Sequence, residues 1–158
     1  MSRVLLLSVQ PKYAKRILNG TKAAELRKVR PGVAPGDTIV LYVSSPEKKV
    51  RAVATVRGVS SGHPDQLWKD VSGEAGVTDE EYEDYFGDTD IGYAIHFTDL
   101  RLLRVPVALS RLRQFWPGFH PPQVYRYLSD RELANLLSAS ETGPGPSIRS
   151  RLVPQLAA

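Results

Sequence analysis

The sequence predicts an α+β protein in which strands dominate the first half and helices close the chain, and three observations carry that expectation. An apolar run of strand length, Val4 to Val9, leads at once into a short helix and then a second extended segment. A continuous apolar strand (TIVLYV, Thr38 to Val43) precedes a stretch where Val50, Ala52, Ala54 and Val56 alternate with Arg51, Val53, Thr55 and Arg57. That alternation marks a sheet with one wetter face. Capping boxes at Thr78 to Glu81 and Ser129 to Glu132 then open helices late in the chain.

Taken in order, Arg3 to Val9 reads as a central strand, because Leu5, Leu6 and Leu7 leave no polar face. Pro11 suits the first turn of a helix, where its missing N–H costs nothing, and Tyr13, Ala14, Ile17 and Leu18 fall at helical spacing. Asn19-Gly20 closes that helix as a left-handed cap, and Lys22 to Arg27 follows as a strand. Pro31-Gly32 and Pro35-Gly36-Asp37 bracket a loop, and Ser44 to Lys49 connects the next two strands. Residues 60–90 read as an acidic helical insertion, holding Leu67, Trp68, Tyr82, Tyr85 and Phe86. Strand signals return from Gly92 to Val105, with Pro106 at an end or an edge. Ser110 is placed to cap a turn holding Leu112, Phe115 and Trp116, and the last helix sets Leu133, Leu136 and Leu137 on one face. Residues 1–139 thus form one domain, and 140–158, rich in Gly, Pro, Ser and Arg, form a disordered or partner-contacting tail.

The chain of 158 residues is long enough to bury a single core, and its 42% hydrophobic and 24% charged residues are ordinary globular values. No window approaches the ~20 apolar residues of a membrane span, and the first strand does not read as a signal peptide. With no Cys, disulfides, thiolate chemistry and Cys-ligated zinc are excluded, and a cytoplasmic location is the default. The net charge of +4 hides a segregation: residues 1–60 carry +9, residues 61–100 carry −10 and the remainder +5. Such a pattern sets a basic surface, attractive to polyphosphate, beside an acidic one, unless the acidic segment folds back and neutralises it.

The most informative stretch is NGTKAAELRKVRP, Asn19 to Pro31, where four basic residues crowd one acid. A hairpin would need only its Asn-Gly turn. Glu25 and Arg27 share a strand face, whereas Lys22 has the opposite parity unless the turn re-aims it. Together they offer an acceptor for a base amino group and a donor for phosphate; the plainer reading is an ion pair fixing the barrel mouth. Lys22, with its pKa lowered by burial, would serve as a general acid or base, and otherwise is an exposed lysine on a turn. Lys28 adds a further cation. Tyr42, Ser44, Ser45 and Lys48 combine a ring with phosphate contacts, although a terminal strand tyrosine more often simply packs. Gln123, Tyr125 and Arg126 join amide, ring and cation, a set suited to reading an unpaired base. His63, His96 and His120 show no ligand spacing, so no metal site is assigned, and a strand histidine such as His96 reads as a satisfied structural residue.

The helix Tyr13 to Leu18, the residues Gly20, Lys22, Glu25 and Arg27, then Gly36-Asp37 with the strand to Tyr42, and Gly92-Tyr93, together resemble the ASCH domain family of the PUA-like superfamily. The resemblance covers roughly residues 3–110, and Pro121 to Leu128 looks like an extension seen in some relatives. It implies a PUA-like mixed β-barrel with short helices at its mouth, a cleft lined by the Lys-Glu-Arg segment, and a role in RNA or modified-nucleotide biology. Some relatives are metal-dependent ribonucleases and some small ones are amidohydrolases of acetylated cytidine. The latter carry a Thr nucleophile where this chain has Glu25, so their covalent mechanism does not transfer.

The sequence therefore points to a domain that binds RNA or a modified nucleotide in a basic cleft centred on Lys22, Glu25 and Arg27, without a membrane and without a cofactor. The competing reading is a ribonuclease or modified-nucleoside hydrolase in the same cleft, with Lys22 and Glu25 as acid and base and a divalent metal if it is a ribonuclease. The sequence shows no Ser-His-Asp set to favour an enzyme. A third reading is a module that contacts a protein partner through the acidic segment 74–90.

Overall fold

The computed structural model describes residues 2–141. Eleven elements follow in the order β1 (Val4–Val9), α1 (Pro11–Leu18), β2 (Ala24–Arg27), β3 (Thr38–Val43), β4 (Lys49–Gly62), α2 (Pro64–Val71), α3 (Asp79–Phe86), β5 (Gly92–Ala108), α4 (Leu109–Phe115), β6 (Tyr125–Leu128) and α5 (Asp130–Glu141). All but the first two residues of the expected 140–158 tail lie outside the described residues.

The six strands form one sheet in the order β2-β5-β4-β3-β1-β6. Only the β1–β3 pair is parallel, the crossover running through α1 and β2; the other pairs are antiparallel. Register shifts between Val50 and Ala52, Val53 and Thr55, and Val56 and Gly58 bend β4 against β5, and such bulges let a sheet curl. The result is a half-barrel whose edge strands, β2 and β6, face each other across a seam.

The three layers follow from the side-chain parity of the strands. Leu5, Leu7 and Val9 join Ile39, Leu41, Val43, Ala52, Ala54 and Val56 inside the curl, with Ala14 and Ile17 of α1 closing one end. Val4, Leu6, Val40 and Tyr42 point the other way and pack against Leu112, Trp116, Phe119 and Leu136 from the α4 to α5 region. A third cluster sets Ala24, Leu26 and Ala94 against Leu67, Val71, Tyr82 and Phe86 of α2 and α3. Strands covered on both faces need no polar alternation, which is why β1 is apolar throughout.

Several boundaries differ from the sequence reading. Strand β2 starts at Ala24, two residues after Lys22, because the amides of Thr21 and Lys22 both turn back to the Arg16 carbonyl, at 2.9 and 3.1 Å. Helix α4 begins at Leu109, so Ser110 is inside it and not its cap. Strand β5 runs through Pro106 to Ala108; β2 flanks it only from Tyr93 to His96, so no neighbour on that side needs the missing amide of Pro106. On α5 Leu136 is fully buried while Leu137 is 39% exposed, as expected for residues ~100° apart on a helix.

Candidate functional site

The parity of β2 turns Ala24 and Leu26 toward α2 and α3 and leaves Glu25 and Arg27 on the concave face. Arg27 is 7% exposed. Its Nη2 donates to Glu25 Oε2 at 2.8 Å and to the Ser8 carbonyl at 3.1 Å, and its Nη1 donates to the Val124 carbonyl at 2.9 Å. One guanidinium thus ties β2 to β1 and to the segment entering β6, across the seam that the sheet leaves open. Its Nε is buried without a hydrogen-bond partner.

Lys22 is 3% exposed, although it precedes the strand. The turn that bends its amide to Arg16 aims Nζ at the Ala75 carbonyl, 2.7 Å away, and to within 3.6 Å of Glu25 Oε1. The parity conflict is thereby resolved: Lys22 belongs to the turn, so strand alternation does not govern it. Burial lowers its pKa from the ordinary lysine value, and the charge and hydrogen bond of Glu25 oppose that shift. The insertion supplies the receiving surface. The Glu74 carbonyl accepts from the Ala23 amide at 2.8 Å, and the Gly76 carbonyl from Arg16 Nη1 at 2.8 Å. Gly76 has φ +62°, and a Cβ there would stand 2.5 Å from Lys22 Cβ.

Above Glu25 opens a cavity of about 490 Å³. Lys22, Glu25 and Arg27 line it, with Tyr13, Gln10, Ser8, Ser44, Glu81, Tyr85, Pro121, Pro122 and Gln123 around them. Glu81 is held by Arg16 Nη1 at 2.8 Å and by Lys12 Nζ at 2.9 Å. Arg16, the Thr78 amide and Lys12, in that order, hold its carboxyl well below the usual carboxylate range. The Tyr13 ring lies among the cations of Lys12, Arg16 and Lys22, each 5.2 to 5.5 Å from its centroid. The acidic insertion therefore does fold back on the basic part of the chain, at Glu81 and at Glu74, which pairs with Arg57 at 2.6 Å.

Of the residues singled out in the sequence, the cavity brings together Lys22, Glu25, Arg27, Ser44 and Gln123. Lys28 is exposed, its Nζ 5.0 Å from the Tyr85 ring centroid. Tyr42 is 1% exposed in the core beneath α4, where burial raises its pKa and no ring face is left for a base. Ser45 and Lys48 are exposed on the β3–β4 turn. The Tyr125 hydroxyl donates to the Arg30 carbonyl, and Arg126 pairs with Glu132 at 2.9 Å over the Phe119 ring. Those two side chains serve the seam and the α5 start.

Ser8, Gln10, Tyr13, Glu81 and Tyr85 are cavity residues that the sequence reading assigned to a strand, a junction or a helix face. Ser8 carried the only signal, as a polar residue inside the apolar run of β1. Among the described residues no group of three or more His, Cys, Asp or Glu is placed to hold a metal ion. The two cavity carboxylates, Glu25 and Glu81, are both engaged by cations. Among the described residues these donors do not fit a resident divalent ion.

Comparison with known proteins agrees with this architecture. The ASCH domain family model matches residues 7–101. An ASCH domain-containing ribonuclease from Zymomonas mobilis is 31% identical over 133 residues, which is 84% of this chain and 89% of that protein. The crystal structure of ASCH from Zymomonas mobilis superposes with a TM-score of 0.79 at 29% identity, covering 85% of this chain and 94% of its own. A Pseudomonas syringae protein with a TM-score of 0.56 at 18% identity, covering 87% of this chain and 99% of its own, shares the fold alone. A half-barrel with the Lys-Glu-Arg segment at its seam, matched by the family model across most of its strands, places this chain in the ASCH domain family.

Proposed function

We propose that this protein binds RNA, or a modified nucleotide, by taking one nucleotide into the cavity over β2. The observation that carries the reading is Glu25, a nearly buried carboxylate between Lys22 and Arg27 at the base of a nucleotide-sized cavity. The Glu25 carboxylate lies within reach of both cations, and an ionised carboxylate only accepts hydrogen bonds. It therefore selects ligand edges rich in N–H groups, such as the amino face of a base. Tyr13 and Tyr85 offer rings for stacking, Gln10 and Gln123 offer amides, and the exposed Lys28 and Arg30 are placed for phosphates.

A second reading, cleavage of the bound RNA or hydrolysis of a modified nucleoside, rests on Lys22. Its lowered pKa brings the amine closer to the range of a general acid or base, and the relative at 31% identity is a ribonuclease. Glu25 would then take the role of base. The test for both is to incubate the full chain with single-stranded RNA and with modified nucleosides, with and without Mn²⁺, following binding and product separately. Salt-sensitive binding without product supports recognition alone. Product that disappears in Lys22→Ala and Glu25→Gln supports the enzyme. Failure to bind any of them, with capture of a protein through the exposed acids Asp79, Glu80, Glu83 and Asp84 of α3, would overturn both in favour of a partner module.

A further inference from the structure

A second cluster of chemistry lies on the far side of β2, independent of the cavity. Ser60 on β4, His96 on β5 and Glu74 in the turn after α2 are 36 and 22 residues apart in sequence, but form one line of short hydrogen bonds. Ser60 Oγ stands 2.7 Å from His96 Nε2, and His96 Nδ1 stands 2.7 Å from Glu74 Oε1. Arg57 Nη2 approaches the two Glu74 oxygens at 2.6 and 2.8 Å.

The proton positions follow from what the groups can do. An ionised carboxylate cannot donate, and a guanidinium cannot accept. In the neutral ring the Nδ1 that faces Glu74 at 2.7 Å therefore carries the hydrogen, while Arg57 Nη2, 3.4 Å from the same nitrogen and able only to donate, is taken up by the Glu74 oxygens. That leaves Nε2 as an acceptor, so the Ser60 hydroxyl donates to it. This is the hydroxyl-imidazole-carboxylate relay by which an alcohol is activated as a nucleophile. His96 is 8% exposed, which shields the ring from bulk water, while Ser60 is half-buried and so reachable. Gly58 and Gly62, two residues to either side of Ser60 on the same face of β4, have no atom within 4 Å of where a Cβ would stand.

We propose that Ser60 is an activated nucleophile that takes an acyl or phosphonyl group from small activated donors, with His96 as its base and Glu74 as the residue that positions His96. With a fluorophosphonate, Ser60 Oγ forms a bond to phosphorus, the P–F bond breaks, fluoride leaves and the hydroxyl proton passes to His96 Nε2. Glu74 then faces an imidazolium, which it stabilises. Along β4 only glycines flank Ser60 on its own face, so a donor reaches the hydroxyl from that side without meeting a side chain.

The test treats the full chain with a short-chain fluorophosphonate and maps the adduct by peptide mass, using the exposed neighbour Ser61 as internal reference. The expected result is an adduct on Ser60 and not on Ser61, absent in Ser60→Ala and formed at least about tenfold more slowly in Glu74→Gln. Equal labelling of Ser60 and Ser61, or no labelling at all, overturns the proposal, as does an unchanged rate in a Glu74→Gln protein that melts like the parent. The contrast between the two serines in the unsubstituted protein decides the matter even where a variant does not fold.

Discussion

Lys22 is buried beside Glu25, and its titration exposes the cost of that burial. The folded chain holds the lysine pKa below 10.5. Between that lowered value and 10.5 the unfolded chain therefore binds more protons, and stability rises with pH across that window. Lys22→Met keeps the stem and removes the titration. The melting temperature of the wild type minus that of the variant is expected to climb from neutral pH toward 10.5, and a flat difference would show that Lys22 is not held against its charge. The sequence displayed these residues as a crowd of cations around one acid, but not the partners that decide their chemistry. The Ala75 carbonyl that holds Lys22 comes from an insertion 53 residues away. Likewise His96 appeared alone because strand pairing and the α2 turn, not sequence proximity, deliver Ser60 and Glu74 to it.

At the level of elements, the insertion between β4 and β5 is a wall of the cavity, and two of the contacts that hold it there can be tested. Glu81 joins α3 to α1 through Arg16 and Lys12, with its pKa depressed far below 4.5. A group depressed on folding stabilises above its unfolded pKa and loses that contribution as pH falls through its folded one. Glu81→Gln is accordingly expected to melt below the wild type at neutral pH, with the gap closing below 4.5; a gap that persists in acid would contradict the ion pair. Gly76 is the second contact. Gly76→Ala forces a Cβ into Lys22 at a left-handed φ, and urea unfolding is expected to show a loss of about 2 kcal/mol. The elements themselves were legible: apolar runs, the Asn-Gly cap and both capping boxes lie where the structure has them. Their ends shifted where tertiary contacts override local pattern, as at Ala24 and Leu109. That the acidic stretch would pack against α1 was not legible, since charge along a sequence does not reveal which surfaces meet.

Across the whole molecule, the curl of the sheet leaves one seam, and the site occupies it. Arg27 bridges β2, β1 and the approach to β6 while also holding Glu25, so the candidate site and the closure of the half-barrel share a residue. Replacing it leaves Glu25 with a single distant cation, and Arg27→Ala is expected to destabilise by roughly 3 kcal/mol in urea unfolding; a loss within experimental error would show that the seam does not depend on it. Whether the Glu25 carboxylate reads a nucleotide in this cavity is decided by the equilibrium binding of a labelled single-stranded RNA to the wild type and to Glu25→Gln at several salt concentrations. Binding by the variant is expected to be at least about tenfold weaker, with the same dependence on salt because no phosphate contact is lost. Equal affinity in a folded Glu25→Gln protein would contradict that role.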